Sequence, residues 1–144
     1  MPKLYCDANP RMIAYYLDGG GSGSQPLADG YTSMEAEYIA IIYGLNEYFL
    51  KWNKALDARQ YNGLSDSELT KVADILAHTA QPLPDAVLVC CDNEVVIKQL
   101  SRQYHIANDR LRKLAQQVWD MTKNVEVTFQ WIPRKDNLAG FMLK

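Results

Sequence analysis

Apolar and polar positions follow two different rhythms along this chain, and each change of rhythm marks an element. Lys3 to Asp7 reads as a short strand, and Ile13-Ala14-Tyr15-Tyr16-Leu17, rich in β-branched and aromatic residues, reads as a second one joined to it through the turn Asn9-Pro10-Arg11. The stretch Asp18-Gly19-Gly20-Gly21-Ser22-Gly23-Ser24 has the composition of an engineered linker, but between two apolar stretches it is more simply a flexible hairpin loop. A third strand is expected near Leu27 to Tyr31. From Ser33 to about Trp52 the pattern turns helical: Glu37, Ile41, Gly44, Leu45, Tyr48 and Trp52 recur at the spacing of one helical face, behind Thr32 or Ser33 as N-cap. A further helix is predicted over Ser67 to Ala80, where Ser65 and Glu68 match a capping box before Leu69, Val72, Ile75 and Leu76, and Pro82 and Pro84 end it.

The second half opens on Ala86-Val87-Leu88-Val89-Cys90-Cys91, a continuous apolar run of strand length, as expected of a central parallel strand covered on both faces. Asp92-Asn93 caps a short helix through Leu100, and a longer helix runs from about Asn108 to Thr122 with Leu111, Leu114, Ala115, Val118 and Trp119 on its apolar face. Val125 to Ile132 alternates as a half-buried strand that Pro133 stops, and a short C-terminal helix is expected in the tail Arg134 to Lys144.

Composition narrows the class. The 144 residues suit one domain able to bury its own core, and 48% hydrophobic with 22% charged residues is ordinary for a globular chain. Apolar runs are far shorter than the roughly 20 residues of a membrane span, and Met1-Pro2-Lys3 does not begin a secretory h-region, so the expected setting is cytoplasmic, without a membrane partner. Cys6, Cys90 and Cys91 have neither disulfide nor zinc spacing and read as small apolar fillers. A net charge of −2 argues against binding nucleic acid by bulk charge and requires any such contact to be local.

The chemistry lies in a coincidence. Tyr5-Cys6-Asp7 and Cys90-Cys91-Asp92 each end an apolar strand with an aspartate. On adjacent parallel strands these carboxylates would meet at the carboxyl edge of the sheet, where α/β folds place their sites. Like charges so close repel unless a cation joins them, and such clusters suit Mg²⁺ or Mn²⁺, hard ions that prefer oxygen. Glu37, early in the main helix, would supply a third oxygen ligand. Each residue has an ordinary use as strand end, N-cap or solvated helical charge; the three in this order point to the site.

At this point the chain resembles type 1 ribonuclease H, in its compact archaeal and bacterial branch akin to the ribonuclease H domains of reverse transcriptases. The resemblance rests on Met34 to Leu45, on Cys91 to Leu100, on Tyr104 to Leu114 and on Trp131-Ile132-Pro133-Arg134-Lys135-Asp136-Asn137, and maps the helical metal ligand to Glu37 rather than Glu35. It implies a single α/β domain over residues 1–144, with a five-stranded mixed sheet flanked by helices and a helical insertion at about 54–81. It further implies an endonuclease hydrolysing the RNA strand of RNA–DNA hybrids with two Mg²⁺ or Mn²⁺ ions, Asp7 bridging them and Glu37 and Asp92 completing one shell.

The match departs in the tail, where Asn137-Leu138-Ala139-Gly140 puts Gly140 in the place of the family's fourth carboxylate. Asp136 is a substitute if a continuing helix carries it to the same face. The first turn is too short for the family's glycine-rich loop, and the family's basic protrusion is missing, which leaves RNA-versus-DNA discrimination open. Arg134, Lys135, Asn137, Arg102 and Arg110 are the candidate nucleic-acid contacts, beside His105, Arg112 and Lys113. The leading expectation is a monomeric metal-dependent endonuclease with Asp7, Glu37, Asp92 and Asp136 as catalytic candidates. The alternatives are a non-catalytic module that binds nucleic acid or protein, motivated by Gly140, and a structure-specific DNA nuclease of the same superfold.

Overall fold

The computed structural model describes residues 1–52 and 86–143. The first strands are β1 (Lys3–Ala8), β2 (Met12–Leu17) and β3 (Gly21–Pro26), followed by helix α1 (Ser33–Trp52). Then come β4 (Ala86–Cys91), α2 (Glu94–Leu100), α3 (Asp109–Thr122) and β5 (Glu126–Trp131). Two 3₁₀ segments, Arg134–Asp136 and Leu138–Leu143, close the chain. The strands form one five-stranded mixed sheet in the order β3-β2-β1-β4-β5, with β1, β4 and β5 parallel and β2 and β3 antiparallel. Among the described residues no helix is long and apolar enough to cross a membrane. The predicted helix Ser67 to Ala80 and the insertion at about 54–81 lie outside the described residues.

Alternation along the strands decides which side chains meet which layer. Gly44 of α1 comes so close to the sheet that a Cβ there would lie 2.9 Å from Cys6 Sγ and 3.4 Å from Leu4 Cδ2, so Leu4 and Cys6 face α1. Asp7 and Tyr5 therefore face the other side, where the Leu138–Leu143 segment packs on β1 and β2. The core between sheet and helices holds Leu4, Cys6, Tyr38, Ile41, Val89, Cys91 and Val118.

Two expectations are corrected. The third strand is Gly21–Pro26, not Leu27 to Tyr31, and the turn before it is confined to Asp18–Gly20, with Gly19 at a φ of 76°. The small residues are there for packing. A Cβ on Gly23 would stand 2.8 Å from the Tyr15 ring and 2.9 Å from the Tyr43 hydroxyl, so the edge-to-face Tyr15–Tyr43 pair needs a bare backbone above it. In the tail, the expected single helix is two 3₁₀ pieces interrupted at Asn137, whose extended backbone (φ −82°, ψ 101°) turns its side chain inward.

Candidate metal centre

Three acidic side chains are delivered to the carboxyl edge of the sheet by three different elements. Asp7 stands near the end of β1, Asp92 directly follows β4, and Glu37 projects from the second turn of α1. The start of α1 is fixed by a reciprocal cap: Glu35 N–H donates to Thr32 Oγ1 at 3.1 Å, and Thr32 N–H donates to Glu35 Oε1 at 3.0 Å. Arg110 Nε holds the other Glu35 oxygen at 2.7 Å. Glu35 is thus committed to the helix terminus, which leaves Glu37 to face the sheet.

Glu37 and Asp92 lie with Cys91 in one group, whose potential ligand atoms are all within 4.8 Å of one another. The Cys91 thiol donates to Glu37 Oε2 at 3.6 Å and accepts from Asn93 N–H at 3.5 Å. Asp7 approaches from the opposite face of the sheet. Its Oδ1 accepts from Ala8 N–H at 2.9 Å, while its Oδ2 lies 3.1 Å from where a Cβ on Gly140 would be. Asp7 and Glu37 are each only 8% exposed. Among the described residues, no Lys, Arg or His forms an ion pair with Asp7, Glu37 or Asp92.

The electrostatics follow from that concentration of charge. Burial, then the charges of Asp7 and Asp92, push the Glu37 carboxyl up to about 8, against a weaker pull from the Cys91 hydrogen bond and Arg134. Burial and the Asp92 charge raise Asp7 to about 6, opposed by the Ala8 N–H and Arg134. Burial, then Glu37, drives the Cys91 thiol well above its ordinary value. Buried carboxyls that resist ionisation, with Arg134 offsetting them only in part, suit a divalent cation bound to oxygen.

Asn137 locks the arrangement from below. It is 2% exposed, its Nδ2 donates to Cys6 O at 2.9 Å and to Asp92 Oδ2 at 3.4 Å, and its Oδ1 accepts from Ala139 N–H at 3.2 Å. One side chain thus ties the end of β1, the Asp92 carboxylate and the last 3₁₀ segment together. Beside Asp7 a cleft of about 410 Å³ is lined by Asn9, Arg134, Lys135, Gly140 and Phe141 among others.

The profile of the family described as reverse transcriptase-like matches residues 68–143. The chain belongs to this family, and its fold is ribonuclease H-like. No curated protein sequence matches it significantly. Among solved structures it is similar to ribonuclease H1 from the halophilic archaeon Halobacterium salinarum NRC-1, with 17% identity over 96% of this chain and 89% of that one and a TM-score of 0.64. It is likewise similar to LC11 ribonuclease H1 in complex with an RNA/DNA hybrid, with 17% identity, full coverage of both chains and a TM-score of 0.67. A third relative in structure is the N-terminal ribonuclease H domain of a Mycobacterium tuberculosis protein, with 17% identity over 94% of this chain and 84% of that one and a TM-score of 0.60.

Within this ribonuclease H-like fold the candidate residues separate into two groups. Asp7, Glu37, Asp92, Arg134 and Lys135 gather at the carboxyl edge and its cleft. Asp136 does not join them: it is exposed, its 3₁₀ turn ends before Asn137, and its charge is felt by Tyr5. The helix that would have carried Asp136 round to the site does not continue. Asn137 is a buried tie, not an exposed contact for nucleic acid. Arg110 is held by Glu35, and Arg102 lays its guanidinium over the Trp119 ring at 3.9 Å, beyond the C-terminal end of α2. Sequence reasoning overlooked Cys91 as a neighbour of the carboxylates. The signal available was alternation on β4, which turns Cys91 toward α1 and thus toward Glu37.

Proposed function

We propose that the chain is a divalent-metal-dependent endonuclease that hydrolyses the RNA strand of RNA–DNA hybrids. The observation that carries this reading is the gathering of Asp7, Glu37 and Asp92 at one edge of the sheet, close enough for their charges to act on one another, two of them more than nine-tenths buried and with no ion-paired cation among the described residues. A protein has little structural use for such a cluster, because each charge raises the cost of the others. The similarity to LC11 ribonuclease H1, solved with an RNA/DNA hybrid, supports the choice of substrate.

Asp7, Glu37 and Asp92 would hold Mg²⁺ or Mn²⁺, two ions when substrate is bound, which supply the Lewis acidity that phosphodiester hydrolysis needs. The chain's own part is positioning. Asn137 restrains the Asp92 carboxylate and the end of β1, and Glu35, through its cap and Arg110, fixes the helix that presents Glu37. Arg134 and Lys135, exposed at the cleft beside Asp7, offer positive charge to a strand's phosphates and offset the overall charge of −2 where it matters.

Gly140 favours a second reading, a ribonuclease H-like module that binds nucleic acid or a protein without cutting, because this position adjoins Asp7 and brings no carboxylate. Cleavage of a labelled RNA–DNA hybrid, beside duplex RNA and duplex DNA, in Mg²⁺, Mn²⁺ and chelator, separates the two. Metal-dependent cutting of the hybrid alone upholds the nuclease; no cutting of any duplex in either metal refutes it and leaves the module.

A further inference from the structure

The half of the site on the α1 side contains a donor that hard-metal chemistry does not call for. We propose that Cys91 is a third, soft ligand beside Glu37 and Asp92, and that this trio binds a thiophilic divalent ion such as Zn²⁺ or Cd²⁺ in competition with Mg²⁺. The inference rests on reading Glu37 and Asp92 as a cation site, and not on hydrolysis.

Geometry is the first support. A tetrahedral zinc with Zn–S of about 2.3 Å and Zn–O of about 2.0 Å spans a sulfur-to-oxygen edge of about 3.5 Å. Cys91 Sγ and Glu37 Oε2 are 3.6 Å apart, and Cys91 Sγ with one carboxylate oxygen each of Glu37 and Asp92 forms a group in which all three atoms are within 4.8 Å of one another. The metal would replace the thiol proton now lying between sulfur and carboxylate; that proton leaves to solvent as the S–H bond breaks and the metal–sulfur bond forms.

The surroundings are the second support. Asn93 N–H already donates to Cys91 Sγ at 3.5 Å, a bond that stabilises a coordinated thiolate, and Asn137 Nδ2 restrains Asp92 at 3.4 Å. Glu37 is nine-tenths buried, and among the described residues its sole hydrogen-bond donor is the Cys91 thiol, a weak one. Among the described residues its other oxygen accepts no hydrogen bond, which leaves it able to take a cation. Cys91 itself is fully buried, but Asp92 beside it is only partly so, and this opens the trio to solvent. Sulfur selects against Mg²⁺ and for Zn²⁺ or Cd²⁺, so the trio binds the softer ion more tightly than carboxylates alone would.

The test is titration of the full chain with Cd²⁺, followed by the ultraviolet thiolate-to-cadmium charge-transfer band, with Zn²⁺ affinity from calorimetry. The band should saturate at one ion per chain in the wild type and in Cys90→Ser, and vanish in both Cys91→Ser and Cys91→Ala. Zn²⁺ affinity should fall at least about tenfold in these two variants and in Glu37→Gln. Thermal melts identify any variant that fails to fold, and the two Cys91 variants guard against a fault peculiar to one. A wild type without the band, or a band that survives in a folded Cys91 variant, overturns the proposal. Hybrid cleavage without the band would reject the soft ligand and keep the nuclease; the band without cleavage in Mg²⁺ or Mn²⁺ would do the reverse.

Discussion

Replacing Glu37 by glutamine should make the metal-free protein more stable at alkaline pH, although it removes a ligand. The Glu37 carboxyl is raised from 4.5 to about 8 in the folded chain. The native state therefore binds more protons than the unfolded state between those values, and stability falls as pH rises. The contribution is intact below 4.5 and lost as pH passes through about 8. At about 1.4 kcal/mol for each tenfold change in proton affinity, the full loss is on the order of 5 kcal/mol. Glutamine is neutral throughout and keeps the shape, so it escapes that loss. Urea unfolding in chelator at pH 4.5, 6.5 and 8.5 should show wild type and Glu37→Gln close together at the first pH and separating at the others, with the variant ahead. Asp7, raised to about 6, adds a fall between 3.8 and 6 to both proteins and so drops out of the comparison. Millimolar Mg²⁺ should stabilise the wild type at pH 8.5 and do less for the variant. A wild type at least as stable as Glu37→Gln in chelator at pH 8.5 would refute the claim that Glu37 is an uncompensated buried charge.

Asp7→Asn should reduce hybrid cleavage by at least about two orders of magnitude with an unchanged circular dichroism spectrum; a rate near wild type would remove Asp7 from the site. Asp136→Ala should leave cleavage within about twofold and stability within about 0.5 kcal/mol, because the residue is exposed and its charge is not among those that shift Asp7 or Glu37. A large loss of turnover would restore it as a ligand. Asn137→Ala should cost about 1–3 kcal/mol of stability by leaving Cys6 O without its buried donor. Calorimetry with Mn²⁺ should show affinity reduced on the order of tenfold as the Asp92 restraint is lost. Gly140→Asp would press a new carboxyl toward Asp7 Oδ2 and so lower stability in chelator, with Mn²⁺ reversing the deficit. A variant equally stable with and without the ion would show that position 140 does not face the metal.

Much of this was legible in the sequence, for reasons that differ by element. Ala86–Cys91, Ser33–Trp52 and Asp109–Thr122 could be read because burial wrote itself as an apolar run or a helical stripe. Asp7, Glu37 and Asp92 stood out because two strands ended alike. Gly21–Pro26 could not be read, since its glycines and serines carry no strand preference of their own, and Gly23 answers to the Tyr15 and Tyr43 rings packed against it. Asn137 looked like a surface contact because its three partners come together only through the fold: Cys6, Asp92 and Ala139. Cys91 was hidden by its chemistry, because a thiol in an apolar run is indistinguishable from filler until the helix opposite is known to carry an acid. Arg102 lies where a helix usually ends in glycine, at a φ of 63°, and only the Trp119 ring beneath its guanidinium explains the choice.

The sheet runs through the site as a partition. Glu37 and Cys91 belong to the side roofed by α1, Asp7 to the side covered by the last 3₁₀ segment, and Asp92 stands at the tip between them. The two sides are joined through β1, whose Cys6 lies under α1 while Asp7 faces the 3₁₀ segment, so a charge on one side is felt on the other. Gly140 adjoins Asp7 in the lower compartment, and Cys91 adjoins Glu37 in the upper. A change of charge on either side therefore reaches the other through Asp92, whose carboxylate acts on both Asp7 and Glu37.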